Sequence, residues 1–164
     1  MNRRNHSIHI EYQTVDSLDD CVVEDRLLLN AARDQVYNAY APYSRFRVGA
    51  ALRLSNGLLF TGNNQENAAF PLGSCAERVV CGYAKALHPY ENIEAIAVYV
   101  SPADFELDQA VSPCGGCRQL LLEYELNQNS PIKLIMQANE SAIILVPSAA
   151  ALLPLHFHGK LLRK

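Results

Sequence analysis

Two cysteine clusters constrain this chain more than any other feature. Cys75 stands two residues before Glu77, and Cys114 and Cys117 form a C-x-x-C pair further along. Cysteine thiolates are common zinc ligands, and three protein ligands leave one position of a tetrahedral zinc ion open for water. A carboxylate beside such a site can move protons to and from that water. The spacing therefore predicts a catalytic zinc site in a hydrolase, with Glu77 as the proton-transfer group.

Each cluster also lies at the start of a predicted helix. Residues 76–88 and 115–126 have helical patterns, so that Cys75 precedes one helix while Cys114 and Cys117 open the other. A helix N-terminus carries partial positive charge and free N–H groups. Both properties favour the thiolate form that zinc requires, and the two helix starts therefore support a metal site.

A structural zinc site is the main alternative, and it would need a fourth protein ligand. Cys81 follows Cys75 by six residues within one predicted helix. This separation is about 9 Å along the helix axis, which is too far for both thiols to bind the same ion. The residues that stay open as a fourth ligand are Cys21, His88, His156 and His158.

Three charged residues close to the clusters have two interpretations each. Arg78 and Arg118 stand next to the ligands, and three thiolates would give a zinc site a net charge of about −1. We hypothesise that one or both arginines donate hydrogen bonds to thiolate sulfur and restore the acidity of the zinc water. They are otherwise ordinary surface residues. Glu77, without a metal, would simply complement the helix dipole.

Composition limits the class of partner. The chain has 164 residues, 49% of them hydrophobic, which is typical of one domain with its own core. The formal net charge is −3, and no block of Lys or Arg favours a nucleic acid polymer as partner. Residues 1–20 lack the apolar segment of a signal peptide, and no apolar run approaches the ~20 residues of a membrane span. We expect a cytoplasmic protein with no membrane partner and with reduced cysteines.

Hydrophobic periodicity predicts a mixed sheet with helices packed on it. Residues 1–23 form an N-terminal arm, where Ile8, Ile10 and Tyr12 alternate with polar residues and predict a short strand, a disordered tail being the alternative. Residues 24–164 form a single domain. Its predicted strands are residues 48–54, 58–61, 93–100, 132–136 and 142–146, and its predicted helices are residues 24–40, 76–88, 115–126 and 147–153.

Five stretches of sequence occur in an order that is typical of one enzyme family. They are AYAPYSRF with VGAAL at residues 39–52, TGNNQENA at 61–68, CAER at 75–78, SPCGGCRQ at 112–119, and LLP at 152–154 followed by Phe157. With these stretches the chain resembles the small homotetrameric zinc-dependent cytidine deaminases. The resemblance implies an α/β fold with three α/β/α layers and a mixed five-stranded sheet.

The resemblance also implies a role for individual residues. Cys75, Cys114 and Cys117 would hold one zinc ion per subunit, and Glu77 would be the catalytic proton shuttle. The implied substrate contacts are Asn64 and Glu66 with the ribose, Phe46 with the base or sugar, Ala76 N–H and the Ser112 carbonyl with the pyrimidine edge, and Phe157 with a neighbouring subunit's site. From the residues alone, Asn64 and Glu66 equally fit a turn at a strand end, and Phe46 fits the core.

The implied reaction is hydrolytic deamination of cytidine and deoxycytidine to uridine and deoxyuridine plus ammonia, in pyrimidine salvage. Zinc-activated water would attack C4 of the ring while Glu77 moves protons. The implied partners are a small-molecule nucleoside and three further copies of the chain in a homotetramer with shared active sites. The alternatives are a deaminase of another aminopyrimidine such as blasticidin S, an enzyme that edits RNA or DNA, and a non-enzymatic binding module stabilised by zinc.

Overall fold

The computed structural model of the protein describes residues 3–162, without the side chains of residues 160 and 161. Strands and helices alternate along most of the chain. The helices are α1 (Val23–Gln35), α2 (Ala76–Leu87) and α3 (Gly115–Gln128). The strands are β1 (Gln13–Val15), β2 (Phe46–Leu54), β3 (Leu59–Asn63), β4 (Ile93–Pro102), β5 (Lys133–Ala138) and β6 (Ile143–Val146).

The strands form one mixed six-stranded sheet in the order β1-β6-β5-β4-β2-β3. Strands β4 and β5 are parallel, with Ala97 opposite Ile135, and the other neighbours are antiparallel. The longest pairing joins β2 to β4 from Phe46, opposite Pro102, as far as Leu54. The parallel β4–β5 pair requires a crossover, which α3 supplies.

Helices cover both faces of the sheet, so the predicted three-layer α/β/α arrangement is confirmed. Alternate side chains of a strand point to opposite faces, and β4 follows this rule with Ala97 on one face and Ile96 on the other. Helix α1 packs against the Ala97 face, and α2 and α3 pack against the Ile96 face. Helix α1 comes so close to β2 that a Cβ at Gly49 would lie 2.0 Å from the Ala32 carbonyl oxygen.

The sixth strand is a difference from the five-stranded sheet predicted from the sequence. Strand β1 comes from the N-terminal arm and pairs antiparallel with β6, with Gln13 opposite Leu145. The strand predicted around Ile8 to Tyr12 is wrong in position, because those residues precede β1 and their side chains are exposed. Alternation of apolar and polar residues does not reveal which backbone segment reaches a free sheet edge. The division of the chain at residue 23 stays a prediction.

Other element boundaries differ by a few residues. The helix predicted to continue to residue 40 ends at Gln35 and continues as a short 3-10 turn, Val36–Asn38. Strand β2 begins at Phe46, two residues before the predicted start. The short helix predicted at residues 147–153 is a 3-10 turn, Ala149–Leu152. In the part of the chain that the structure describes, no helix is long and apolar enough to cross a membrane.

Candidate active site

The three predicted zinc ligands lie together. The sulfur atoms of Cys75, Cys114 and Cys117 lie within 4.8 Å of one another, and the Cys75 and Cys114 sulfurs are 3.8 Å apart. Two thiolates bound to one tetrahedral zinc at about 2.3 Å have sulfurs ~3.8 Å apart. The donor set therefore fits zinc in both chemistry and spacing. The three cysteines would hold the ion, and a fourth coordination position would remain for water.

Helix starts position all three sulfurs. Cys75 is the N-cap residue of α2, Cys114 is the N-cap residue of α3, and Cys117 is buried in the first turn of α3. Hydrogen bonding with the Cys117 thiol lowers the pKa of Cys75 to about 6, with smaller contributions from Cys114 and from the Arg78 charge. The same hydrogen bond raises the pKa of Cys117, so that without a metal the pair favours one thiolate, at Cys75. Zinc binding would require the other two thiols to lose their protons as well.

The candidates for a fourth protein ligand lie elsewhere. Among residues 3–162, the cluster of metal-ligating side chains that includes Cys75 contains only the three cysteines. Cys81 is fully buried between α2 and the sheet, and burial raises its pKa to about 12. Cys21 packs on the opposite face with α1, and His88 packs on the Phe60 ring at 5.5 Å between centroids. This arrangement leaves the site with three protein ligands, which is typical of catalytic zinc.

Glu77 lies in the first turn of α2, two residues after the ligand Cys75. Its side chain is only 4% exposed, and burial raises the pKa of its carboxyl group. Glu77 nevertheless lines the same cavity as Cys75 and Cys114. A carboxyl group that is buried in the protein but open to a cavity can exchange protons with a molecule bound there.

The cavity has a volume of about 680 Å³, which is sufficient for a small ligand. Most of the predicted site residues line it: Phe46, Asn64, Glu66, Cys75, Ala76, Glu77, Ser112 and Cys114. Phe157, on the described C-terminal segment of the same chain, does not line it and is 57% exposed. Sequence reasoning missed the other lining residues, among them Ser44 and Phe105. Ser44 stands within a motif that drew attention to Phe46, whereas Phe105 lies in a loop with no recognisable pattern.

Asn64 and Glu66 both hold the segment that leads into β2. The Asn64 amide accepts a hydrogen bond from Val48 N at 2.8 Å and donates one to the Phe46 carbonyl at 2.9 Å. The Glu66 carboxylate accepts hydrogen bonds from Tyr43 N at 2.9 Å and Ser44 N at 3.3 Å, and from the Ser44 hydroxyl. Both side chains therefore have a structural role, and both also line the cavity.

The two arginines donate hydrogen bonds to oxygen atoms of the segments that precede the ligands. Arg78 donates to the Gly73 carbonyl and to the Ser74 hydroxyl, immediately before Cys75. Arg118 Nε donates to the Pro113 carbonyl at 2.7 Å, and its Nη1 donates to the Leu152 carbonyl at 3.3 Å. Both arginines thus brace the segments that precede ligands. The hypothesis that either one donates to thiolate sulfur stays a prediction.

A family model describes the same region of the chain. The model of the cytidine and deoxycytidylate deaminase zinc-binding region matches residues 23–130. The chain belongs to this family. Its members are zinc-dependent deaminases, so the chain is an enzyme that uses zinc, and the three-sulfur cluster fits a zinc site. The alternative of a non-enzymatic zinc module is thereby set aside.

Individual relatives support this assignment. A probable cytidine deaminase from Dictyostelium discoideum is 41% identical over 97 residues, which are 58% of this chain and 62% of that protein. The cytidine deaminase of Sporosarcina psychrophila is 38% identical over 124 residues, which are 75% of this chain and 81% of that protein. The crystal structure of cytidine deaminase from Burkholderia pseudomallei superposes with a TM-score of 0.69 at 36% identity and covers 80% of this chain and 97% of that one.

Proposed function

We propose that the enzyme converts cytidine and deoxycytidine to uridine and deoxyuridine by hydrolysis, with release of ammonia, and that it serves pyrimidine salvage. One observation carries the proposal. The cavity that exposes Cys75, Cys114 and Glu77 also exposes an amide, a carboxylate and an aromatic ring, from Asn64, Glu66 and Phe46. These groups suit the hydroxyl groups and the flat base of a nucleoside.

The proposed chemistry combines a metal and a carboxylate. Zinc, when bound to the three cysteines, would lower the pKa of a coordinated water from ~15.7 toward neutrality. Glu77 accepts a proton from the attacking water and delivers it to N3 of the ring as the oxygen bonds to C4. Glu77 then transfers the second water proton to the amino group, the C4–N bond breaks, and ammonia leaves. One carboxylate thus acts first as base and then as acid.

The remaining cavity residues orient the substrate. The Ala76 N–H group and the Ser112 carbonyl would meet the pyrimidine edge, and Phe46 would contact the base or the sugar. Glu66 and Asn64 would hydrogen-bond the ribose. Hydrogen bonding from Ser44 lowers the pKa of Glu66 and keeps this carboxylate charged. A negative charge at this position repels phosphate, so the site favours nucleosides over nucleotides.

The proposal extends to the assembly and to the location of the protein. We assign residues 24–164 to the catalytic domain and residues 1–23 to an arm of the same chain, in a cytoplasmic homotetramer. Phe157 supports shared active sites, because its ring is exposed while its carbonyl oxygen is held by Gln119 Nε2 at 3.0 Å. A fixed, exposed aromatic residue is well suited to enter a neighbouring subunit.

The test is turnover by purified, zinc-loaded protein. Ammonia release and the ultraviolet absorbance change would be followed with cytidine, deoxycytidine and blasticidin S in parallel, with and without a chelator. We expect the enzyme to turn over both nucleosides. The chelator should abolish this activity, and added zinc should restore it. Turnover of blasticidin S alone would replace the proposed substrate with another aminopyrimidine.

The catalytic carboxylate is tested by Glu77→Gln. We expect a folded protein that still binds one zinc ion, with kcat reduced by about 10²–10⁴, the usual contribution of a general acid–base group. Glu123→Gln, which removes the same charge from the outer part of α3, is the control and should retain kcat. If Glu77→Gln turned over cytidine at the wild-type rate, the mechanism would be wrong.

A further inference from the structure

We propose that Ser44 is a positioning residue, whose hydroxyl group holds the Glu66 carboxylate and the start of β2 in the arrangement that binds the nucleoside sugar. The inference rests on the proposed function, since it takes the cavity to be a nucleoside site. It concerns a residue to which the family resemblance assigns no role. Its basis is the hydrogen bonding of a single side chain that lines the cavity.

All the hydrogen bonds that the structure records for the Glu66 carboxylate come from two consecutive residues. Oε2 accepts the N–H groups of Tyr43 at 2.9 Å and Ser44 at 3.3 Å, and Oε1 accepts the Ser44 hydroxyl. A carboxylate has about four lone-pair positions, so acceptor capacity remains for a ligand. Since the two backbone donors meet one oxygen, the Ser44 hydroxyl is what orients the other.

The same hydroxyl also acts on the chain that carries Phe46. Ser44 Oγ accepts a hydrogen bond from Phe46 N at 3.0 Å. This contact requires the intervening residue to turn sharply, and Arg45 has a φ of +54°, a left-handed conformation that is uncommon for a residue with a side chain. The bond between Arg45 N and the Ala41 carbonyl, at 3.0 Å, closes the turn. Ser44 therefore connects the carboxylate to Phe46, which lines the same cavity.

The Ser44 hydroxyl contacts both the Glu66 carboxylate and Phe46 N–H, whereas the Ser44 backbone N–H contacts Glu66 alone. Ser44→Ala removes the donor to Glu66 and the acceptor for Phe46 N–H together, whereas Ser44→Thr retains both. Glu66 keeps its two backbone donors in either variant, so the loss of orientation is partial. Ser44 is exposed, and the core contains none of its atoms. Substitution should therefore affect sugar binding and leave the zinc site and the fold intact.

The experiment compares Ser44→Ala, Ser44→Thr, Glu66→Ala and the double variant Ser44→Ala/Glu66→Ala with the wild type. KM and kcat are measured with cytidine, and binding of uridine and of 1-methyluracil, the same base without a sugar, is measured by calorimetry on zinc-loaded protein. We expect Ser44→Ala to raise KM and the uridine Kd about tenfold, equal to ~1.4 kcal/mol. Its kcat should change by less than about twofold, its 1-methyluracil Kd should not change, and Ser44→Thr should behave as the wild type.

The double variant measures the connection directly. Once Glu66→Ala has removed the carboxylate, the further change Ser44→Ala should raise KM by less than about threefold, because the two residues act together. The proposal would be overturned if Ser44→Ala raised KM equally with and without the Glu66 substitution. It would also be overturned if Ser44→Ala weakened the binding of 1-methyluracil as much as that of uridine, or if this variant lost its zinc or its fold. Turnover by the wild type distinguishes a failure of this proposal from a failure of the proposed function. Absence of cytidine turnover in the wild type refutes the function, whereas a silent Ser44→Ala in an active enzyme refutes only the role of Ser44.

Discussion

Glu125 is a buried carboxylate that joins α3 to two later segments of the chain. It is 7% exposed, and its carboxylate accepts four hydrogen bonds. Oε2 accepts Ile132 N at 2.8 Å and Ala149 N at 2.7 Å, and Oε1 accepts the Ser148 hydroxyl at 2.6 Å and Ala150 N at 3.1 Å. One residue of α3 thus connects the start of the β5 segment to the 3-10 turn that follows β6.

The substitution Glu125→Gln changes this arrangement without changing its size. The single amide oxygen can still accept the hydrogen bonds from Ile132 N and Ala149 N. The amide NH2 group can donate to the Ser148 hydroxyl, but it also faces Ala150 N, and two donors cannot form a hydrogen bond. Three charge-assisted hydrogen bonds become neutral, at about 1 kcal/mol each, and one N–H group loses its partner at about 1–3 kcal/mol. These losses add up to about 4–6 kcal/mol. Since a neutral amide costs less to bury than a carboxylate, we expect a smaller net loss, about 3 kcal/mol.

The assay is thermal unfolding, followed by circular dichroism or calorimetry at a fixed protein concentration. For a chain of this size, about 3 kcal/mol lowers Tm by roughly 6–12 °C. Glu123→Gln is a matched control, since it removes the same charge from the same helix. Glu123 is partly exposed and accepts one hydrogen bond, from Asn127 Nδ2 at 3.0 Å, so its Tm should change by less than about 2 °C. A Glu125→Gln melting point within about 2 °C of the wild type would refute this reasoning.

Two further predictions concern a buried thiol and the assembly. Burial raises the pKa of Cys81 to about 12, and the thiolate is the reactive form. Iodoacetamide should therefore leave Cys81 unmodified in the native protein from about pH 8 to about pH 10 and modify it after unfolding. Peptide mass spectrometry that finds native Cys81 modified would contradict this. Light scattering should give four times the 18.2 kDa of one chain, and Phe157→Ala should lower activity with zinc content unchanged. A fully active single chain would exclude shared sites.

The metal cluster was the part of the site most accessible to sequence reasoning. Thiolate chemistry and the C-x-x-C spacing select the ligands, and the helix starts place Cys75 and Cys114 at N-cap positions before any tertiary contact is known. Cys81 could be excluded by the length of one helix, a purely local quantity. A mixed sheet with helices packed on it was equally accessible from the periods of strands and helices, whereas the three layers followed only from the family resemblance.

The features that escaped prediction depend on tertiary position. Arg78 and Arg118 each have five N–H donors on a long side chain, and only the folded loops show that carbonyl oxygens of Gly73 and Pro113 receive them. Phe105 reaches the cavity from a loop whose sequence has no periodicity. Its ring lies 6.4 Å from that of Phe46 because β4 ends where β2 begins. The sixth strand likewise required knowledge of which sheet edge was free.

Strand order explains why ligands from distant parts of the chain meet. Strands β3 and β4 both run antiparallel to β2, so they end on either side of its start, with Gly49 opposite Asn63 and Phe46 opposite Pro102. The helix that follows each strand begins at that same end of the sheet, and this brings the N-termini of α2 and α3, with their ligands, to one place. A slip of one residue between β2 and β4 would displace one helix start by about 3.3 Å. That shift is nearly the whole 3.8 Å between the Cys75 and Cys114 sulfurs, so the zinc site depends on the register of the sheet as well as on the cysteines.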